Sequence, residues 1–471
     1  MSGKHHHTRR EFLGNISYGC ASLGVTTLLS SWKNMGLINA AAAANKSSYS
    51  NSPYKALVCI LLSGGNDSYN MLMPQGIDEY NEYAAVRSNL AIPRNQIRPI
   101  NPLNPDGKNY GLHPNMPNIQ NLFESEKVAF IANVGTLIKP TTLADYNLDK
   151  DLPLGLYSHS DQAQHWQTSI PGDRNAGGWG GRLADILYTN NQNTDISMNI
   201  SLDGINLFQR GNTIQTYSIV PKANGSVLIN GAATNTVYEQ LKRQTVDSLL
   251  EYNYQNILEK AYSNSIIGSK SNSIDFDSAI ANGDPFSTTF GEGRLSQRLN
   301  MVARTIAARN ILNVSNQTFF VELGGFDSHD NILNDHAALM TELDTALHEF
   351  HQALDELQIL NDVTTFTISD FARKLVSNGD GSDHAWGGHT LVMGGAVNGK
   401  HIYGQYPDLY LDNALDTGDG RLIPTTSCDE YFAELALWFG ASSGDLSEIL
   451  PNIENFWTPT QNGHPIGFLN Y

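Results

Sequence analysis

The chain has 471 residues, a formal net charge of −18 and 40% hydrophobic residues. That acidity argues against nucleic acid or an anionic membrane surface as the main partner, because both are bound chiefly through lysine and arginine. Cys20, Cys59 and Cys428 are the only cysteines, too few for a disulfide framework.

The N-terminus reads Thr8-Arg9-Arg10-Glu11-Phe12-Leu13, followed by a moderately apolar stretch from Ile16 to Leu29 and the small-residue run Ala41-Ala42-Ala43-Ala44. An arginine pair, a short apolar segment and an A-x-A-like site have the form of a twin-arginine export signal. The apolar stretch falls short of the ~20 residues that a membrane span needs. The expectation is therefore a cleaved signal over residues 1–44, a mature part working in the periplasm or outside the cell, and no stable membrane insertion after cleavage. His5, His6 and His7 belong to the polar head of that signal and are assigned no metal, while lipidation at Cys20 is the less favoured alternative.

Residues 45–471 are long enough for one large α/β domain or for two, since single cores rarely grow beyond about 250–300 residues. Apolar, β-branched runs at both ends of the chain favour one elaborated domain. Those runs are Ala56–Leu62, Val128–Val134, Thr318–Leu323, Val363–Ile368 and Thr390–Met393. Each has a polar loop and a helical pattern nearby, as the units of a mostly parallel sheet require. Helical periodicity marks Met116–Ser125, Gln162–Thr168, Gly181–Leu187, Val237–Ala261, Arg294–Asn313, Asn334–Leu357 and Cys428–Phe439. Cys59, inside a strand run, reads as a buried, inert thiol. The Asn-, Ser- and Gly-rich stretches around Thr189–Asn235, with Tyr217–Val220 and Ser226–Ile229 as short strands, and Ser265–Glu292 read as a loop and short-strand insertion spanning about residues 189–292.

Ligands of a parallel sheet sit at the carboxyl ends of its strands, so polar residues directly after strands are the ones to weigh. Ser63-Gly64-Gly65-Asn66-Asp67-Ser68 follows the first run, and Gly324-Gly325-Phe326-Asp327-Ser328-His329 follows the third. Ser369-Asp370-Phe371-Ala372-Arg373 and then Asp383-His384-Ala385-Trp386-Gly387-Gly388-His389 follow the fourth. Acid and imidazole groups gathered at one sheet edge call for a cation, and a divalent metal, zinc foremost, is the usual solution. The candidate ligands are Asp67, Asp327, His329, Asp370, Asp383, His384 and His389. His348 and His351, three apart on a helix, read as packing or surface residues; His336 is left open. Ser158 and Ser160, where a loop enters a helix, are candidate nucleophiles, because helix N-terminal amides stabilise developing negative charge. A serine followed by Asp and Gln is equally a helix cap, and Ser160 is the expected cap.

The motifs Leu61-Leu62-Ser63-Gly64-Gly65-Asn66-Asp67-Ser68, Gly111-Leu112-His113-Pro114, Ser158-His159 through Trp166, Gly325-Phe326-Asp327-Ser328-His329 and Gly381-Ser382-Asp383-His384 together resemble the bacterial, twin-arginine-exported family of domain of unknown function 1501. That family is similar in turn to the alkaline phosphatase and sulfatase superfamily. The resemblance implies an alkaline-phosphatase-like three-layer α/β sandwich with a mostly parallel central sheet. It also implies a centre of two metals with Asp67 as the first aspartate, Ser158 or Ser160 as nucleophile, Asp327 and His329 as the Asp/His pair, Asp383 and His384 as the dipeptide, and His389 as the last histidine. Asp370-Phe371 stands where an Asp-His dipeptide normally follows its strand, which makes Asp370 a candidate ligand with His384 and His389 reaching in from the loop beyond. The implied activity is metal-dependent hydrolysis of a phosphate or sulfate ester, on a small molecule or a polymer. The alternative is a secreted binding or assembly protein, with a protein partner, that keeps the fold without catalysis.

Overall fold

The computed structural model describes residues 53–222, 225, 236–458 and 463–471. The expected signal segment 1–44, Cys20 and the run Ser226–Ile229 lie outside them. In chain order the first elements are β1 (Lys55–Ser63), β2 (Leu72–Pro74), α1 (Ile77–Arg87), β3 (Arg98–Ile100), β4 (Tyr110–Leu112), α2 (Pro117–Glu124) and β5 (Val128–Gly135). There follow α3 (His159–Thr168), α4 (Trp179–Leu187), β6 (Asn199–Ser201), β7 (Tyr217–Ser218), α5 (Val237–Leu250), α6 (Ile257–Ala281) and α7 (Arg294–Ala307). The chain continues with β8 (Asn316–Gly324), α8 (Ile332–Glu356), β9 (Val363–Ser369), β10 (Gly388–Gly394), β11 (Ile402–Gly404), β12 (Thr426–Ser427) and α9 (Cys428–Phe439).

The main sheet runs β11-β5-β10-β9-β1-β8-β6-β7, with β12 also paired to β5. All its pairings are parallel except those of β10, which is antiparallel to both β5 and β9. The carboxyl ends of β1, β5, β8 and β9 and the amino end of β10 therefore share one edge. The expected mostly parallel α/β sandwich is the architecture found.

Central strands buried on both faces read as unbroken apolar runs, and the two-residue period divides each run between two cores. In β1, Ala56, Val58, Ile60 and Leu62 pack with α2, α7 and α8, whereas Leu57, Cys59 and Leu61 face Trp166 of α3, Trp179 of α4 and the aromatic face of α9. Cys59 and Cys428 are free and buried.

Two features correct the sequence reading. The Ser- and Asn-rich stretch after Ser265 is not a loop as far as Ala281: it continues α6, capped by Asn256, whose side chain accepts from the backbone of Leu258 and Glu259. The periodic run Val237–Ala261 is broken between α5 and α6. Part of the expected insertion also completes the scaffold, because β6 pairs with β8 at the sheet edge. The antiparallel sheet β2-β4-β3 and helix α1 were not anticipated.

Candidate metal centre

The loops after β1 and β8 touch through glycine. Gly64 and Gly65 have φ of 114° and 86°, and a Cβ on Gly64 would stand 2.4 Å from the Asp327 nitrogen. Only glycine combines that left-handed backbone with such an approach. The loop after β9 meets the β1 loop at the same glycine, Asp370 Oδ2 accepting from the Gly64 N–H at 3.2 Å.

On this base, three imidazoles from three parts of the chain converge on one carboxylate oxygen. Asp327 Oδ1 lies 3.3 Å from His159 Nε2, 3.0 Å from His329 Nε2 and 3.6 Å from His384 Nε2. Ligand atoms of His159, Asp327 and His384 all lie within 4.8 Å of one another, the one such group of three among the described residues.

The far nitrogens fix the tautomers. His159 Nδ1 donates to Asp370 Oδ2 at 2.7 Å, and His384 Nδ1 donates to the Tyr157 carbonyl at 2.8 Å. His329 Nδ1 faces Asp383 Oδ1 at 3.5 Å. A neutral imidazole that donates through Nδ1 leaves a lone pair on Nε2. Burial first, and then Arg373, His159 and His329, lower the pKa of His384 despite the Tyr157 carbonyl. Its Nε2 lies 3.1 Å from that of His329, and the buried His159 Nε2 has no hydrogen-bond partner. Lone pairs facing a carboxylate oxygen need a cation between them. Histidines whose second nitrogen donates to a carboxylate or carbonyl are the usual form of metal ligands, so the residues fit a divalent ion.

Arg373 supports the centre from below. Fully buried, it donates to the carbonyls of Gly64, Gly65, Ser382 and Phe326 and, at 2.7 Å, to Asp327 Oδ1. Burial pushes the Asp327 carboxyl up, but Arg373 and the histidines outweigh it and the net shift is down. Asp370 is raised by burial, with His159 and Gly64 opposing. Asp383 is lowered to about 2, chiefly by its hydrogen bond from Lys374.

Of the residues expected from sequence, Asp327, His329 and His384 meet in the centre, while Asp370 and Asp383 serve as partners of its imidazoles. Asp67 and His389 do not contact it. Asp67 forms a buried ion pair with Arg87 of α1. His389 Nδ1 accepts from the Asn133 N–H at 3.1 Å and its ring stacks on Tyr406, where burial lowers its pKa to about 3. Ser158, not Ser160, caps α3: its side chain accepts from the Asp161 N–H and contacts Ser160 Oγ at 3.1 Å. His336 is buried, donating through Nε2 to Asn66 Oδ1. His159 and Arg373 were missed as site residues; for His159 its position directly beside Ser158 was the available signal, and Arg373 gave none.

Beside His329 and His384 opens a cleft of about 280 Å³, walled by Tyr146, Tyr157, Thr417 and Arg421. The Arg421 guanidinium lies over the Tyr157 ring, 5.6 Å from its centroid, and donates to the His384 carbonyl at 3.0 Å.

Residues 54–417 match the family model described as Protein of unknown function (DUF1501). The chain belongs to the DUF1501 family. The matched span contains every residue of the centre. No curated protein matches this DUF1501 chain in sequence. Among solved structures it is similar to Ps i-CgsB, at 9% identity and a TM-score of 0.34, over 86% of this chain and 77% of that one. It is also similar to PsFucS1 sulfatase from Pseudoalteromonas sp., at 11% identity and a TM-score of 0.32, over 82% and 68% of the two chains. A third likeness is to the C-terminal periplasmic domain of EcEptC from Escherichia coli in complex with Zn, at 9% identity and a TM-score of 0.29, over 74% of each chain. Scores this low transfer no reaction. Among the described residues no helix is long and apolar enough to cross a membrane.

Proposed function

We propose that the chain is an exported, metal-dependent hydrolase of phosphate or sulfate esters. The observation that carries this is the convergence of His159, His329 and His384 on Asp327 Oδ1, with the buried His159 Nε2 lacking any hydrogen-bond partner. His159, Asp327 and His384 hold the ion, with His329 beside them. A divalent ion, zinc by preference for this donor set, supplies Lewis acidity toward the ester and lowers the pKa of water toward neutrality.

The chain's own groups do the rest. Asp370 and the Tyr157 carbonyl hold His159 and His384 with Nε2 turned inward. Arg421 gives the cleft a cation for an anionic ester, from a small molecule or a polymer. Ser158 is a weak candidate for attack: its hydroxyl is engaged as a cap, and the neighbouring Asp161 carboxyl is held down by its hydrogen bond from Arg174, which makes it a poor base. Water is the favoured nucleophile. Export by the twin-arginine route to the periplasm or beyond belongs to the same proposal and rests on Arg9-Arg10 and the alanine run.

The Arg373 bond to Asp327 favours a second reading, a non-catalytic binding protein, because a fixed guanidinium already matches the carboxylate's charge. Turnover of 4-nitrophenyl phosphate and sulfate with and without zinc separates the two. The hydrolase reading expects zinc-dependent release of nitrophenol that His159→Ala and His384→Ala abolish and Ser158→Ala retains. Bound zinc without turnover of either ester hands the site to the binding reading.

A further inference from the structure

We infer that the centre takes one divalent ion and not two, the places of a second being occupied by cations of the chain itself. This rests on the hydrolase reading and concerns only the number of ions. Four carboxylates stand at the site edge: Asp67, Asp327, Asp370 and Asp383. If a second ion were held there, Asp67 and Asp383 are the carboxylates left over once His159, Asp327 and His384 have been used and Asp370 has been given to His159.

Both are taken. Asp67 and Arg87 form an ion pair with side-chain exposures of 1% and 0%. Arg87 is locked in place, since its Nη1 also donates to the carbonyls of Lys374 at 3.1 Å and Leu375 at 3.4 Å. Swinging it away to admit a metal would strip the Leu375 carbonyl of its donor and leave the Lys374 carbonyl to the Ser382 hydroxyl alone. The field of Arg373 reaches Asp67 as well, so a dication there would face two fixed guanidinium groups. Asp383 carries the Lys374 ammonium at 2.7 Å, and that side chain is 9% exposed. The remaining unpartnered oxygens, Oδ1 of Asp67 and Oδ1 of Asp370, belong to no second group of three ligand atoms within 4.8 Å among the described residues. Buried charges need partners; here the Arg87 and Lys374 side chains provide them, and one opening remains, at Asp327.

The test is a zinc titration of the full chain carrying His5→Ser, His6→Ser and His7→Ser, so that the N-terminal histidines bind nothing. Isothermal titration calorimetry gives the equivalents and native mass spectrometry counts the ions. One equivalent per chain is expected. His384→Ala should weaken it by more than about 100-fold. Asp327→Asn, altered at an exposed side chain, repeats the first arm should His384→Ala fail to fold. Two equivalents overturn the single-ion inference and leave a metal-dependent hydrolase standing. Zero equivalents overturns both.

Discussion

The carbonyl of Tyr157 accepts the Nδ1 proton of His384 at 2.8 Å across 227 residues of sequence. Tyr157 reaches that position with φ of 95°, a conformation that bulky residues rarely adopt. Strained backbone persists where its surroundings over-determine it, and it gathers at functional sites. The hydroxyl supplies part of that determination, bonded to Tyr146 and Thr417 at 3.1 Å each. Tyr157→Phe keeps the carbonyl and the ring under Arg421 and loses these bonds. A stability loss of about 1 kcal/mol per bond is expected, with zinc affinity unchanged. Urea denaturation and zinc titration check the two halves, and a large fall in affinity would show that the side chain, not the carbonyl, sets His384.

Asp370 orients His159 from behind, and the loss of such outer partners typically weakens metal binding by about 10–100-fold. Asp370→Asn should fall in that range in a zinc titration. Unchanged affinity would remove His159 from the ligand set.

Arg373 ties the loops after β1, β8 and β9 to one another. Arg373→Met leaves the carbonyls of Gly64, Gly65 and Ser382 to find new partners, that of Phe326 keeping the Ser328 N–H, at about 1–3 kcal/mol for each that stays buried and unpaired. The variant should unfold at markedly lower urea and lose the centre with it; a near-native midpoint would mean that the loops are held by other contacts.

The buried His113, His336 and His389 each have a pKa lowered by burial to about 3, against an ordinary value of 6.5. Below pH 6.5 the unfolded chain binds protons at these positions that the folded chain refuses. The stability they carry is therefore fully present above pH 6.5 and is lost as pH falls toward 3. Calorimetric unfolding at pH 5 in buffers of different ionisation enthalpy should show uptake of about three protons from this source. A buffer-independent enthalpy would contradict it.

Replacing Arg9 and Arg10 together by lysine should keep the precursor in the cytoplasm, since the export receptor reads the arginine pair. Fractionation and immunoblotting check this, and normal export of the variant would refute the routing.

The central strands were legible because burial on both faces leaves no room for polar residues in Ala56–Leu62 and admits one, Asn133, in Val128–Val134. The site edge was legible for the same reason, as acids and histidines directly after such runs stand out. His159 was hidden between two serines that read as a cap, and Arg373 looked like an ordinary loop arginine because its partners are backbone carbonyls, which sequence does not reveal. Asp67 sits at the expected edge, but its partner comes from α1, whose weak periodicity gave no signal. In α6 the many Ser and Asn residues suggested a loop, while the helix is fixed by its Asn256 cap and the burial of Phe276, Ala279 and Ile280.

Because β10 runs against its neighbours, the chain leaving β9 has no sheet to cross before it re-enters at Gly388. A parallel successor would have demanded a crossover of a dozen or more residues returning to the opposite edge. Residues 370–387 instead stay where the ligands gather and deliver Asp370, Arg373, Lys374, Asp383 and His384 in one pass. Insertions and deletions in that segment would reshape the cleft and its charges without altering a single strand register, so relatives of this chain are free to diverge in what they act on while the scaffold stays the same.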